Sequence, residues 1–391
     1  MNDFVFQNTT KIYFGKNQFH HLSEEIKQFG SRVLLVYGGG SIKKIGLYDK
    51  VMAELKKASM TVFELPGVEP NPHHTTVNKG AEICRREKID VILAVGGGSA
   101  IDCAKAIAGT VFSKTGDCWK IIKGEDEITN ALPLMTVLTL AATGSEMDVG
   151  GVISNVETQE KLALIHPLLQ SKVSFLDPTN TFTVSAYQTA SGSVDIMAHL
   201  FDTVYFAKDE RMEMIYGMMD ELLKTVVKYA PAAISKPDDY EARANLMWAS
   251  SWALNGFLGC GIMQAPTCHM IEHELSAIYD ITHGHGLAIV IPRWLEYILS
   301  PETAPQIKRL GVNVFGVDSS LPDIDGAKEA VKRLSHFFFE TLGLKSRLSD
   351  LGIDDSKISV MAKKACGSEG VMAGFVTLNP GDVEKILRKC L

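Results

Sequence analysis

Apolar positions follow two different grammars along this chain. In the first half, short β-branched runs alternate with stretches of helical periodicity. Arg32–Tyr37 (RVLLVY) and 90–95 (DVILAV) read as buried strands, and each runs into a Gly-Gly-Gly-Ser turn, at 38–41 and 96–99. A third strand is expected at 60–65, with helices over 48–57 and 75–87, while PGVEPNPH at 66–73 is too turn-rich for a helix. Alternation of this kind predicts a parallel, doubly wound sheet with helices on both faces. From about Ala186 the β-branched runs become scarce, and 192–208, 211–229, 241–257, 265–278 and 326–342 read as helices. The expected architecture is an α/β domain at 1–186 followed by an all-α domain at 187–391, with no repeat or low-complexity linker between them.

Composition narrows the function without naming it. The chain has 391 residues, 46% of them hydrophobic and 22% charged, with a formal net charge of −7. That size supports two cores, and the mild acidity gives no basic patch for a nucleic-acid partner. The opening MNDFVFQNTTKIYFGKN is not a basic-then-apolar leader, and no run approaches the ~20 apolar residues of a membrane span. Seven cysteines are scattered, odd in number and without a C-x-x-C pair, which suits reduced thiols. The expected location is cytoplasmic, with neither a nucleic-acid nor a membrane partner.

The two glycine turns carry the first chemistry. A strand that empties into glycines and then a helix presents backbone N–H groups to phosphate. Neither turn is G-x-G-x-x-G or a Walker A loop, and each alone could be a tight turn and nothing more. Two of them at strand ends make the α/β half a Rossmann-like nucleotide-binding domain, since ligands of such sheets bind at the C-terminal strand ends. No carboxylate ends the 32–37 strand to meet a ribose 2′-OH, whereas Ser41, Lys43 and Lys44 could receive a 2′-phosphate. The expected cofactor is therefore NADP or NAD, with NADP slightly favoured.

Asp195 and His199 are four apart in GSVDIMAHLFD, and His269 and His273 repeat that spacing in CHMIEHEL. Residues four apart share a helical face, within reach of one ion. His283 and His285 follow in the turn-like THGHG. Any one of these histidines is ordinarily a core or surface residue; five in three short segments point to a metal. One carboxylate with several imidazoles suits Fe(II), Zn(II), Ni(II) or Mn(II), and no cysteine lies at ligand spacing for a structural zinc.

Residues 192–202 and 265–292, together with GGGSAIDCAK at 96–105, resemble the iron-containing alcohol dehydrogenase family, in particular its NAD(P)H-dependent butanol dehydrogenase and aldehyde reductase branch. The resemblance spans essentially the whole chain. It implies Asp195, His199, His269 and His283 as ligands of one divalent metal, Fe(II) first and Zn(II) or Ni(II) as alternatives. His273 would lie beside nicotinamide and substrate, as the catalytic candidate. Gly38, Gly39, Ser41, Asn71, Gly97, Gly98, Ser99, Asp102, Thr139, Ser145 and Lys161 would line the dinucleotide. Family members specific for NAD often carry Asp where this chain has Gly38, so NADP should be tolerated. Asp148 departs from the amide usual near there. The family also implies a homodimer or larger homo-oligomer.

The expected reaction is hydride transfer between NAD(P)H and a metal-polarised carbonyl, with a short-chain primary alcohol or aldehyde of the butanol/butanal type as substrate. His273 would deliver a proton or position the nicotinamide; His285 has no assigned role. Trp248, Trp252, Phe257 and Met263 read as helix core, or as an apolar lining that favours a small aldehyde. His269-Met-Ile-Glu272-His273 also fits the H-x-x-E-H metallopeptidase pattern. That reading leaves Asp195, His199 and both glycine turns without work. Two other rivals are a dehydroquinate synthase-like lyase, which would use NAD transiently, and an inert nucleotide-binding regulator.

Overall fold

The structure, a computed structural model, describes residues 2–207, 213–262 and 265–391. Met263 lies outside the described residues, as do the first two positions of the helix expected at 211–229. The chain forms two compact units: one of 7–184 and 238–255, the other of 1–6, 185–237 and 256–391.

The first unit is built on a six-stranded parallel sheet of order β1-β8-β5-β4-β2-β3. Its strands are β1 (Lys11–Phe14), β2 (Arg32–Tyr37), β3 (Thr61–Leu65), β4 (Val91–Gly96), β5 (Leu134–Leu138) and β8 (Val173–Leu176). The central strands β4 and β5 are buried at every position, because helices cover both faces. Alternate residues feed the two cores: Leu34, Val36, Ile92 and Ala94 enter one, and Val33, Leu35, Val91 and Leu93 the other. The Leu47–Lys57 helix closes the second core, and the His74–Glu87 and Gly98–Thr110 helices close the first. The sequence pattern did not single out the antiparallel hairpin of β6 (Gly150–Asn155) and β7 (Glu160–Ile165). The Tyr240–Ala253 helix, expected among the helical elements of the second half, packs within this α/β unit.

The second unit is helical. Its long elements include Ala186–Leu200, Glu213–Ser235, Thr267–Tyr279, His283–Ile298, Ala304–Phe315 and Asp323–His336. Ser185 caps the first of them, its hydroxyl accepting from the Gln188 N–H, and every residue from Thr189 to Leu200 is buried. The Ala186–Leu200 helix ends in a π-helical turn at Phe201–Tyr205. Where THGHG was read as a turn, His283, Gly284 and His285 instead begin a 16-residue helix. Gly284 is there for contact: a Cβ would meet the Ser191 carbonyl oxygen at 2.0 Å. The tertiary approach of two helices, rather than local propensity, selects glycine at that position. Among the described residues no helix is long and apolar enough to cross a membrane.

Candidate metal and nucleotide sites

The helical unit brings the Asp195, His199, His269 and His283 side chains together. Asp195 and His199 project from one face of the Ala186–Leu200 helix, as their spacing requires. Asp195 Oδ1 lies 3.8 Å from His199 Nδ1, 3.8 Å from His269 Nε2 and 3.6 Å from His283 Nε2. The His199 and His269 rings stack at 4.7 Å. Asp195 Oδ1 and His269 Nε2 are buried without a hydrogen-bond partner among the described residues. Buried polar atoms are ordinarily satisfied, so a converging set that is not satisfied internally fits a cation.

Two carboxylates set the histidine tautomers. Asp202 Oδ2 accepts from both the backbone N–H of His269 (2.8 Å) and its Nδ1–H (2.9 Å). Glu272 Oε2 bonds His283 Nδ1, and its Oε1 accepts from Ser276 Oγ at 2.5 Å. A proton held on Nδ1 leaves the Nε2 lone pair toward Asp195, which is how carboxylate-backed histidines bind metals. For Asp195 and His199 the electrostatics agree, whereas His269 keeps a proton that a bound ion would displace. Burial acts to raise the Asp195 carboxyl, but His199, His269 and His283 outweigh it and hold it below the usual carboxylate range. Burial lowers His199 to about 4. For His269 burial is overcome by Asp195 and Asp202, which raise it to about 9. A neutral His199 beside an ionised Asp195 is the protonation a divalent ion prefers.

His273 is half-buried, its ring 5.4 Å from that of His283 and 6.2 Å from that of His269. Glu272, His273 and His283 also converge closely enough to hold an ion. The Glu272 carboxylate, however, is fully buried and committed to Ser276 and His283, so it cannot present a water as a peptidase base. His285 is buried, and both of its ring nitrogens are engaged by groups outside the Asp195 cluster. Its Nε2 donates to the Lys345 carbonyl at 2.9 Å, and its Nδ1 accepts from the Tyr187 hydroxyl at 3.0 Å.

The α/β unit gathers the nucleotide candidates at the C-terminal ends of its strands. Gly97 and Gly98 open the 13-residue Gly98–Thr110 helix, whose N-terminus has no side-chain cap. A Cβ at Gly98 would meet the Thr143 side chain at 2.5 Å, so glycine is needed for the 139–145 loop to lie this close. The Thr139 N–H donates to the Gly96 carbonyl at 3.0 Å, and Ser99 Oγ bonds the Pro70 carbonyl, next to buried Asn71. Asp102 accepts from Ser145 Oγ at 2.6 Å and from the Val152 N–H at 2.9 Å. Its carboxylate is therefore occupied in joining the loop and the β6–β7 hairpin to the helix, and buried Lys161 on β7 lends it positive charge. Gly38, Gly39 and Ser41 follow β2, the neighbour of β4 in the sheet.

Some residues in these sites had no distinct signal in the sequence. Asp202 and Ser276 are ordinary helix residues until the fold places them behind histidines. Lys105 is fully buried, donates to the Gly150 carbonyl at 2.7 Å and pairs with Asp148. Burial pushes Asp148 up to about 7, with Lys105 opposing. Trp248 is a correction: it is 39% exposed and rests on Phe14 and Trp252 rather than filling a core.

Comparison with known proteins follows the same division. The iron-containing alcohol dehydrogenase model matches residues 9–178, and the C-terminal model of the Fe-containing alcohol dehydrogenase family matches 189–391. Among curated proteins, the chain is 49% identical to NADH-dependent butanol dehydrogenase A of Clostridium acetobutylicum, over 100% of both chains. It is 38% identical to an NADPH-dependent aldehyde reductase of Escherichia coli, over 93% of each. A crystal structure of NADH-dependent butanol dehydrogenase A from Thermotoga maritima superposes with a TM-score of 0.93 at 37% identity, covering 100% of this chain and 99% of that one. With two family models spanning its two halves and full-length relatives well above 30% identity, this chain belongs to the iron-containing alcohol dehydrogenase family, oxidoreductases that interconvert alcohols and aldehydes.

Proposed function

We propose that the protein reduces short-chain aldehydes of the butanal type to primary alcohols, and oxidises the alcohols in reverse, with NAD(P)H as hydride carrier. Asp195, His199, His269 and His283 would hold one divalent metal, Fe(II) in the first instance with Zn(II) or Ni(II) as alternatives. The two functions divide as 1–186 for the dinucleotide and 187–391 for the metal. The observation that carries this is the ligand set itself: one buried carboxylate oxygen facing three imidazole nitrogens, two of them from rings whose far nitrogen is bound to a second carboxylate.

When bound, the ion supplies a Lewis acid for the carbonyl and the reduced nicotinamide supplies the hydride, an arrangement that can lower the barrier by several kcal/mol. The chain's own residues do the rest. Asp202 and Glu272 keep the Nε2 lone pairs of His269 and His283 available. His273, half-buried with its ring 5.4 Å from that of His283, would deliver a proton or position the nicotinamide. The uncapped N-terminus of the Gly98–Thr110 helix receives the pyrophosphate, flanked by Gly97, Ser99 and Thr139. Gly38, Gly39 and Ser41 receive the adenosine ribose, and Asn71, Ser145 and Lys161 complete the lining. Asp102 serves by bracing Ser145 and the hairpin.

All seven cysteines are buried and free, which fits a reducing cytoplasm. A homo-oligomer is favoured by the extended segment before β1, where Phe4, Val5 and Phe6 are 53%, 95% and 42% exposed. The deciding assay is NADH and NADPH oxidation with butanal after chelation and add-back of Fe(II), Zn(II), Ni(II) or Mn(II). Metal-restored turnover is expected; nucleotide binding without turnover under every metal would overturn the reading and favour a lyase or an inert nucleotide-binding regulator.

A further inference from the structure

The turn after β2 has the composition of a phosphate receiver, yet one of its two lysines is engaged elsewhere. Lys43 sits in the single turn Ser41–Lys44, its ammonium 4.6 Å from the centroid of the Tyr48 ring and 5.2 Å from that of Tyr37. The two rings are 5.9 Å apart and inclined at 61°, so the cation faces both at once. Both phenols donate to a single carboxylate, Tyr37 to Glu64 Oε2 at 2.6 Å and Tyr48 to Glu64 Oε1 at 2.9 Å. Glu64 comes from β3, in register with Leu35 of β2. A phenol that donates to an anion has a more electron-rich ring and holds a cation more firmly.

We propose that the Tyr37–Tyr48–Glu64 cage is a cofactor-selecting device: it keeps Lys43 from the ribose and tilts the enzyme toward NADH over NADPH. The inference rests on the proposed role of the Gly38–Ser41 turn at the adenosine ribose. A 2′-phosphate brings close to two negative charges and needs cationic partners. To serve it, Lys43 must leave two rings and a neutralising carboxylate, which leaves Lys44 and Ser41 as its receivers. NADH makes no such demand. The carboxylate missing at position 38 is thus replaced in effect by one from the neighbouring strand, acting on the lysine rather than on the sugar. Of the features that favour NADP in the sequence (the absent carboxylate, Ser41, Lys43 and Lys44), the cage engages Lys43.

The test is the ratio of KM for NADPH to KM for NADH, measured with butanal on the metal-loaded enzyme. Glu64→Gln removes the charge that anchors the cage, and because Glu64 is exposed the fold is not at stake. The ratio should fall about fivefold, the scale of an exposed cation–π pair, and the fall should vanish in the Glu64→Gln/Lys43→Met double variant. Gly38→Asp is the control for the turn itself; its Cβ would meet nothing nearer than the Val68 carbonyl oxygen at 3.4 Å. It should raise KM for NADPH. If Gly38→Asp acts but Glu64→Gln leaves the ratio unchanged, or lowers it equally without Lys43, the cage has no part in selection and only this inference falls. If Gly38→Asp changes neither KM, the turn does not hold the ribose and this inference falls with that reading.

Discussion

At the scale of single residues, the proposed metal site leans on two carboxylates that stand behind its histidines. In the proposed site Glu272 and Asp202 would act through His283 and His269, to which they are hydrogen-bonded, and a carboxylate behind a ligating histidine typically contributes 10–100-fold in metal affinity. Glu272→Gln and Asp202→Asn should each weaken Zn(II) or Fe(II) binding by about that factor, measured by chelator competition, with activity recovered at high metal. A peptidase whose base is Glu272 would lose activity irrecoverably, so failure of excess metal to rescue would count against the dehydrogenase arrangement. Asp148 gives a prediction in pH. Its folded-state value of about 7 lies above its unfolded one, so the folded state binds the extra proton and is favoured at low pH. Stability from this group is present below about pH 4 and is lost as pH rises to about 7. Urea unfolding across that window should show a shallower decline in Asp148→Asn than in the parent. Asp102 and Glu146, raised in the same direction by burial, keep the decline from vanishing.

Between elements, glycines at points of close approach set how near the helices of the proposed metal site can come. The His283–Ile298 helix meets the Ala186–Leu200 helix at Gly284, where a methyl group would sit 2.0 Å from the Ser191 carbonyl oxygen. Backbone cannot yield as a flexible side chain can, so Gly284→Ala should destabilise the protein by about 1–3 kcal/mol. It should also weaken metal binding, because it moves His283 away from Asp195; a wild-type metal affinity in this variant would show that the contact is not what sets the spacing. The same contact explains why THGHG looks like a turn and is a helix: two glycines lower local helix propensity, and packing overrides it. The β6–β7 hairpin was likewise illegible, since its strands are only half-buried. Its place is fixed by Asp102, Lys105 and Asp148 rather than by its own pattern.

For the molecule as a whole, metal and fold should be linked. An ion that binds only the native state adds about 4 kcal/mol at a thousandfold excess over Kd. Chelation should therefore lower the melting temperature by several degrees and add-back should restore it, whereas a chelator-insensitive melt would place the ion outside the folded framework. The sequence by itself determined the class of fold, because buried parallel strands are continuous apolar runs and amphipathic helices repeat at 3.6 residues, both local signals. It also determined Asp195 with His199, since four residues is one helical turn. Only the tertiary structure decided which histidines meet: His269 and His283 come from separate helices, and no local period relates them to Asp195. It alone placed Asp202 and Glu272 behind those rings, and turned Lys43 onto Tyr37, Tyr48 and Glu64. Each of these is a through-space contact between distant segments, set by how helices and strands pack and not by the order in which residues follow one another.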